Sequence, residues 1–417
     1  MNTVENQFSA RRPASRQPFT SNAETISFGA FLKWAVFVVV IMVAGELARM
    51  NGGQGTDESF SPANVQVVQP AVRKPFYFPP AISQWEQVLP AKVGWDTAKL
   101  NESLELAGKN NSSGVVILHR GRIMAERYWN LDTTGGLADG KGRSHARVVV
   151  GRDAAGHVIE DVASAQKSVT SMLVGIAQHK GMLGLQDPVQ KHLGAGWSKA
   201  SPEQEKAITI RHLITMTSGL LDDMKYEAPA GTRWRYNTAA YSCALRVVAA
   251  AAKKEPNDLT CEWLTGRIGM TSSSWVKRAG LGAENPVNSV GFGTTARDLA
   301  RFGLLILADG QWNGETVIAD RDYLHAALHP SQELNPSYGY LWWLNGQSHV
   351  LRGAGLRANG PLIASAPADL VAALGAADRK LYVVPSLELV VTRLGTTTSR
   401  SFDNDFWKCL MAAAPRK

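Results

Sequence analysis

Strand-patterned segments stand at both ends of the folded part of this chain, and helix-patterned segments fill the middle. Residues 114–129 (GVVILHRGRIMAERYW) read as two strands around an Arg120-Gly121 turn, and residues 146–162 as a second hairpin that turns at 153–156. Between 169 and about 327 the apolar residues recur at three- and four-residue spacing, as in 295–307 (TARDLARFGLLIL). Strands return at 367–375, 380–385 and 387–394, while 96–109 and 403–413 read as helices at the two ends. The pattern predicts an α+β fold: one antiparallel sheet made from both chain ends, flanked by helices, with an all-helical lobe inserted between them.

The segment that leaves the second hairpin carries the chemistry. Ser164-Ala165-Gln166-Lys167 is an S-x-x-K followed by Val169, Met172, Leu173 and Ile176 at helical spacing, with Lys180-Gly181 as a basic last turn and a stop. Residues three apart share a helix face, so the Ser164 hydroxyl and Lys167 amine lie side by side, a nucleophile beside a base. A second S-x-x-K, Ser274 to Lys277, runs into Arg278-Ala-Gly-Leu-Gly282, too glycine-rich for such a helix, and is set aside.

Ahead of the folded part, residues 28–45 (FGAFLKWAVFVVVIMVAG) are apolar apart from Lys33, which reaches the lower length of a membrane-spanning helix. Arg11, Arg12 and Arg16 precede the stretch, and Glu46, Asp57 and Glu58 follow it with Arg49, so the basic flank places the N-terminus inside. The expected order is a cytoplasmic tail (1–27), a signal anchor (28–48) in the inner membrane, a Gly/Pro/Asn-rich linker (49–90) and an exported domain (91–417) facing the periplasm. A cleaved signal peptide ending near Ala48 is the rival, disfavoured by Glu46 where a small residue is wanted.

Three cysteines in an exported chain argue against a disulfide scaffold; Cys243 with Cys261 is the candidate for any single bridge. His325 and His329 have metal-like spacing but no third ligand nearby in sequence, and Asp298 with Arg301 reads as a helix-surface or interlobe ion pair. A net charge of +8 over 417 residues, with no basic run interleaved with aromatics, excludes nucleic acid as the expected partner.

Four segments in order extend the S-x-x-K: 208–219 (ITIRHLITMTSG), 231–238 (GTRWRYNT), 295–302 (TARDLARF) and 381–393 (LYVVPSLELVVTR) follow residues 164–167. This series resembles the β-lactamase-related serine hydrolases, and within them the class C-type branch that includes 6-aminohexanoate-dimer hydrolase and related esterases. The resemblance covers about 76–400 and implies a β-lactamase/transpeptidase-like fold, an acyl-serine intermediate on a small amide or ester substrate, and no cofactor or metal. By position it implies Ser164 as nucleophile, Lys167 as its base and Tyr236 as proton shuttle to the leaving group. Thr238 stands where the family's Y-x-N has its asparagine, as a substrate contact. The family's K-T-G falls on Ala373-Leu374-Gly375, without its lysine; Gly375 would let substrate approach, and the Ala376 amide would join that of Ser164 in an oxyanion hole. Arg379 is a candidate replacement for the missing cation. Trp234, Trp342 and Trp343 are candidates for an acyl pocket or for packing.

Three functional readings stay open on these residues: an amidase or esterase, a D-Ala-D-Ala carboxypeptidase or β-lactamase, and a non-catalytic relative that binds cell-wall peptides.

Overall fold

The computed structural model describes residues 75–131, 145–278, 289–396 and 399–415. The expected anchor at 28–48 lies outside them, and among the described residues no helix is long and apolar enough to cross a membrane.

Both chain ends build one six-stranded sheet among the described residues. Its strands are β1 (Ser112–His119), β2 (Arg122–Tyr128), β7 (Trp343–Leu344), β8 (Val371–Gly375), β9 (Arg379–Val384) and β10 (Leu389–Gly395), in the order β2-β1-β10-β9-β8-β7 and antiparallel throughout. The pleat sends alternate side chains to opposite faces. Val116, Leu118, Leu381, Val383, Val390 and Leu394 join the core on one side, where helix α4 (Ala296–Leu307) packs. Val115, Ile117, Tyr382, Val384, Leu389 and Val391 face the other way, onto α1 (Thr97–Lys109) and α6 (Phe402–Ala413). The Thr295 hydroxyl caps α4 by accepting from the Asp298 amide, and Gly303 lets the helix sit close: a Cβ there would lie 2.5 Å from Val390 Cγ1.

The sequence pattern misses a second sheet. The hairpin β3 (Val149–Arg152) and β4 (Val158–Asp161) forms where expected, but its partners are β6 (Val290–Thr294) and β5 (Ser274–Lys277), in the order β3-β4-β6-β5. The second S-x-x-K is therefore a strand, whose alternation rotates Ser274 and Lys277 apart. The stretch expected as a strand from 367 begins at Val371; before it, Leu370 donates back to the Pro367 carbonyl in a turn.

Helix α2 (Gln166–His179) is buried from Gln166 to Ala177 and packs on α3 (Thr238–Ala252). Residues 75–90, expected as the end of the linker, dock on the domain: the Val88 amide donates to the Ile123 carbonyl and the Ile123 amide to the Glu86 carbonyl, and Arg301 donates to the carbonyls of Pro79 (2.6 Å), Pro80 (2.5 Å) and Ile268 (3.1 Å). Arg301 is thus no surface ion pair. It is 2% exposed, its Nε stands 4.0 Å from Asp298, and its main partners are carbonyls. The candidate disulfide is absent: Cys243 is buried, Cys261 exposed, and both are free thiols.

Candidate active site

Ser164 sits in a short 3-10 turn, Ala163–Ala165, that runs directly into α2. Ala163 enters it with φ +50°, a left-handed conformation that costs an L-residue roughly 1 kcal/mol. Asp161 holds that strained residue, its Oδ1 accepting from the Ala163 amide at 2.9 Å. On the other side β8 packs against the turn at Gly375, where a Cβ would fall 2.1 Å from the Val162 carbonyl oxygen. Gly375 is thus required by the protein's own backbone, and its φ of −113° is one any residue adopts. Ala376 follows at the end of β8, and its carbonyl accepts from Arg379 Nη1 at 2.9 Å.

Lys167, in the first turn of α2, holds its Nζ 3.0 Å from Ser164 Oγ and 3.4 Å from Thr238 Oγ1. The ammonium site is sealed by aromatic faces, Tyr241 at 4.4 Å and Tyr236 at 4.9 Å from ring centre to Nζ. Burial disfavours the charged amine and the guanidinium of Arg278 adds repulsion, so the pKa of Lys167 is lowered to about 7. A free amine beside a serine hydroxyl near neutrality can take its proton.

Tyr236 reaches the same point from the loop before α3. Burial raises its pKa far above the ordinary value, a rise that contact with Ser164 partly offsets. It stays a phenol, able to donate to and accept from a passing proton, which leaves Lys167 as the base. Asn237, between Tyr236 and Thr238, caps α3 by accepting from the Ala240 amide at 2.9 Å and donates to the carbonyls of Leu220 and Leu221. Thr238 contacts Lys167 through its hydroxyl.

Aromatic side chains pack around Tyr236. Trp343 stacks on Tyr236 (5.8 Å, 21°), and Tyr338 meets Trp343 edge-on at 4.9 Å and Trp234 at 5.5 Å. Trp342 turns away and stacks on Phe302 in the core. Sequence reasoning named the tryptophans and missed Tyr338, which no motif marks.

Arg379 is not available as a substitute cation. It is 2% exposed and its Nε donates to Glu160 at 3.0 Å, in a buried cluster where Glu160 also meets His145 (3.0 Å) and the Ser113 hydroxyl. Burial alone would raise the Glu160 pKa; the His145 hydrogen bond and Arg379 charge overcome it and hold it at about 2. His325 pairs with Asp309, and His329 with the His325 carbonyl.

Known proteins with related sequence and shape fit this arrangement. The family model for beta-lactamase matches residues 102–412. An uncharacterised protein of Alkalihalophilus pseudofirmus is 23% identical over 268 residues, which is 59% of this chain and 73% of that protein. Among solved structures, a protein described as a beta-lactamase from Bacteroides dorei superposes with a TM-score of 0.57 at 16% identity, over 76% of this chain and 98% of its own. One described as a 6-aminohexanoate-dimer hydrolase from Bacillus anthracis gives a TM-score of 0.57 at 17% identity, over 80% and 88%. At such identities these two structures establish the shared α+β fold.

Proposed function

Since this chain belongs to the beta-lactamase family of serine hydrolases, we propose that it cleaves uncharged esters or amides through an acyl-serine intermediate. The contact that carries this reading is the 3.0 Å approach of Lys167 Nζ to Ser164 Oγ, made by an amine whose pKa is lowered to about 7. Ser164 Oγ attacks the substrate carbonyl as its proton passes to Lys167. The Tyr236 phenol then takes that proton from Lys167 while giving its own to the departing oxygen or nitrogen, and the acyl group stays on Ser164. Water repeats the sequence in reverse to release the acid. Thr238 orients the Lys167 amine, and the amides of Ser164 and Ala376 receive the developing oxyanion next to Gly375.

The preference for uncharged substrates follows from what stands at the third motif. A carboxylate beside the reacting carbonyl needs a cation or hydroxyl partner once it leaves water. Ala373 and Leu374 supply neither, and Arg379 is committed to Glu160. The half-buried, stacked rings of Trp343 and Tyr236, backed by buried Tyr338, offer apolar surface instead. In this reading the domain stands outside the cytoplasm on an anchor formed by residues 28–48, supported by the basic flank at Arg11, Arg12 and Arg16.

Labelling the full chain with a fluorophosphonate and with a fluorescent penicillin tests the function. Strong fluorophosphonate labelling that Ser164→Ala abolishes is expected. Preferential penicillin labelling would favour the carboxypeptidase or β-lactamase reading, and no labelling by either would favour the binding relative. Alkaline phosphatase fused after Lys417 should be active; activity from a cytoplasmic reporter alone would sink the anchor orientation.

A further inference from the structure

The discarded S-x-x-K strand ends on a residue that grips the catalytic turn. From the end of β5, Arg278 reaches Asp161 with both arms of its fork, Nε to Oδ2 at 2.6 Å and Nη2 to Oδ1 at 3.0 Å. Its Nη2 also lies 3.4 Å from Gln166 Oε1, and Gln166 Nε2 in turn donates to the Val290 carbonyl. Asp161 Oδ1 holds the Ala163 amide, so Arg278 ties down the residues on both sides of Ser164. Room for the Asp161 carboxylate exists because position 291 is glycine: a Cβ there would lie 2.4 Å from Oδ2. We propose that Arg278, clamped by Asp161, is a positioning residue that fixes the Ser164 turn and sets the charge facing Lys167. The proposal rests on the serine hydrolase reading above.

Among the described groups around Lys167, Arg278 has the required charge. The Ser164 turn presents a hydroxyl, the loop before α3 presents Tyr236, α3 presents Thr238 and Tyr241, and Tyr338 lies beyond Tyr236. Tyr323, from the helix at Arg321–Ala327, bonds Ser171 a turn further along, and the Leu341 carbonyl accepts from Ser168. From β8 come Leu374 and Gly375, which are uncharged. From the second sheet come Arg278 and Asp161, and the repulsion of Arg278 acts on Lys167 in addition to burial. A neighbouring cation penalises the ammonium and an anion favours it, so the pair works by opposition: Arg278 pushes the proton off Lys167, and Asp161 limits that push.

That opposition predicts shifts of opposite sign. Hydrolysis of a p-nitrophenyl ester by the full chain would be followed from about pH 5 to pH 10 in the parent and in Arg278→Gln, Arg278→Lys and Asp161→Asn, with thermal midpoints alongside. Arg278→Gln should move the alkaline rise in kcat/KM upward by about one pH unit and lower the rate near neutrality about tenfold. Arg278→Lys should restore most of it. Asp161→Asn removes the compensating anion, so its rise should move to lower pH even as its maximal rate falls. Midpoints of Arg278→Gln and Asp161→Asn that match the parent, or that move the same way, would overturn the proposal. If Arg278→Gln fails to fold, the acid-side shift of Asp161→Asn and the Arg278→Lys profile decide it. Ser164→Ala separates the two levels: retained activity there defeats the acyl-Ser164 reading, whereas its loss with unmoved midpoints defeats only the role of Arg278.

Discussion

At the scale of single residues, chemistry concentrates on two atoms 3.0 Å apart, Ser164 Oγ and Lys167 Nζ. Removing the nucleophile in Ser164→Ala should lower turnover by at least about three orders of magnitude, the scale seen when a catalytic unit loses its attacking group. Ser274→Ala, on a strand and outside the site, should leave turnover within about twofold of the parent. Equal activity in the two variants would contradict the assignment. For Lys167 the sign is set by its lowered pKa: the amine is protonated and inactive below about 7 and free above it, so kcat/KM should rise as pH increases through that value. Lys167→Arg keeps a charge that stays protonated at any working pH, and should flatten the profile while reducing the rate about a thousandfold. A normal rate in that variant would refute the role of the amine. Ser164, Lys167 and Tyr236 were legible because each lies in a short motif whose spacing is local. Arg278, Asp161 and Tyr338 were not, because their positions beside the site depend on pairing between distant strands and loops. Arg278 even adjoined the motif that was set aside.

At the scale of elements, the Ser164 turn is held by the strand and glycine packed against it. Gly375→Ala would drive a methyl group to 2.1 Å from the Val162 carbonyl, where backbone must move on one side or the other. Overpacking of this kind costs typically about 1–3 kcal/mol. Chemical denaturation should show a loss of that order, with esterase activity falling more than stability does, since Val162 leads into the Ser164 turn. A fully active, equally stable Gly375→Ala would show that β8 does not set the turn. The same contact gives Gly375 a packing role that was not legible: sequence shows that a side chain is absent, not whether substrate or protein fills the space. The main sheet, α4 and the terminal helices were legible from long runs with clear periodicity. The second sheet was not, because β5 and β6 are four and five residues long and the pairing of β6 with β4 joins segments more than a hundred residues apart. Pro367 and Leu370 carry strand-like composition but serve a turn whose Pro367 carbonyl accepts from Asn345.

At the scale of the whole molecule, buried charge links the two sheets and sets both acid stability and substrate choice. Glu160 on β4 meets Arg379 on β9 and the Gly395 amide on β10, and its pKa of about 2 lies below the ordinary 4.5. A carboxylate with a depressed folded pKa contributes stability that is complete above about 4.5 and lost as pH falls toward about 2. The thermal midpoint should therefore drop steeply below about pH 4.5, and Glu160→Gln should begin lower and fall less; parallel curves would show that Glu160 does not drive the loss. Because Arg379 is bound into this cluster, it is withheld from the active site, and the substrate prediction follows from that. Ala373, 1% exposed, belongs to the same core as Val162 and Ala165 beside the nucleophile, so a lysine there would point its amine into the site. Short-chain esters and amides with uncharged ends should be hydrolysed much faster than nitrocefin by the parent chain. Ala373→Lys with Leu374→Thr should raise the nitrocefin-to-ester ratio at least about tenfold, the usual worth of one matched polar contact in selectivity. Parent turnover of nitrocefin equal to that of its best ester would show that the missing cation is immaterial, and the β-lactamase reading would then take precedence.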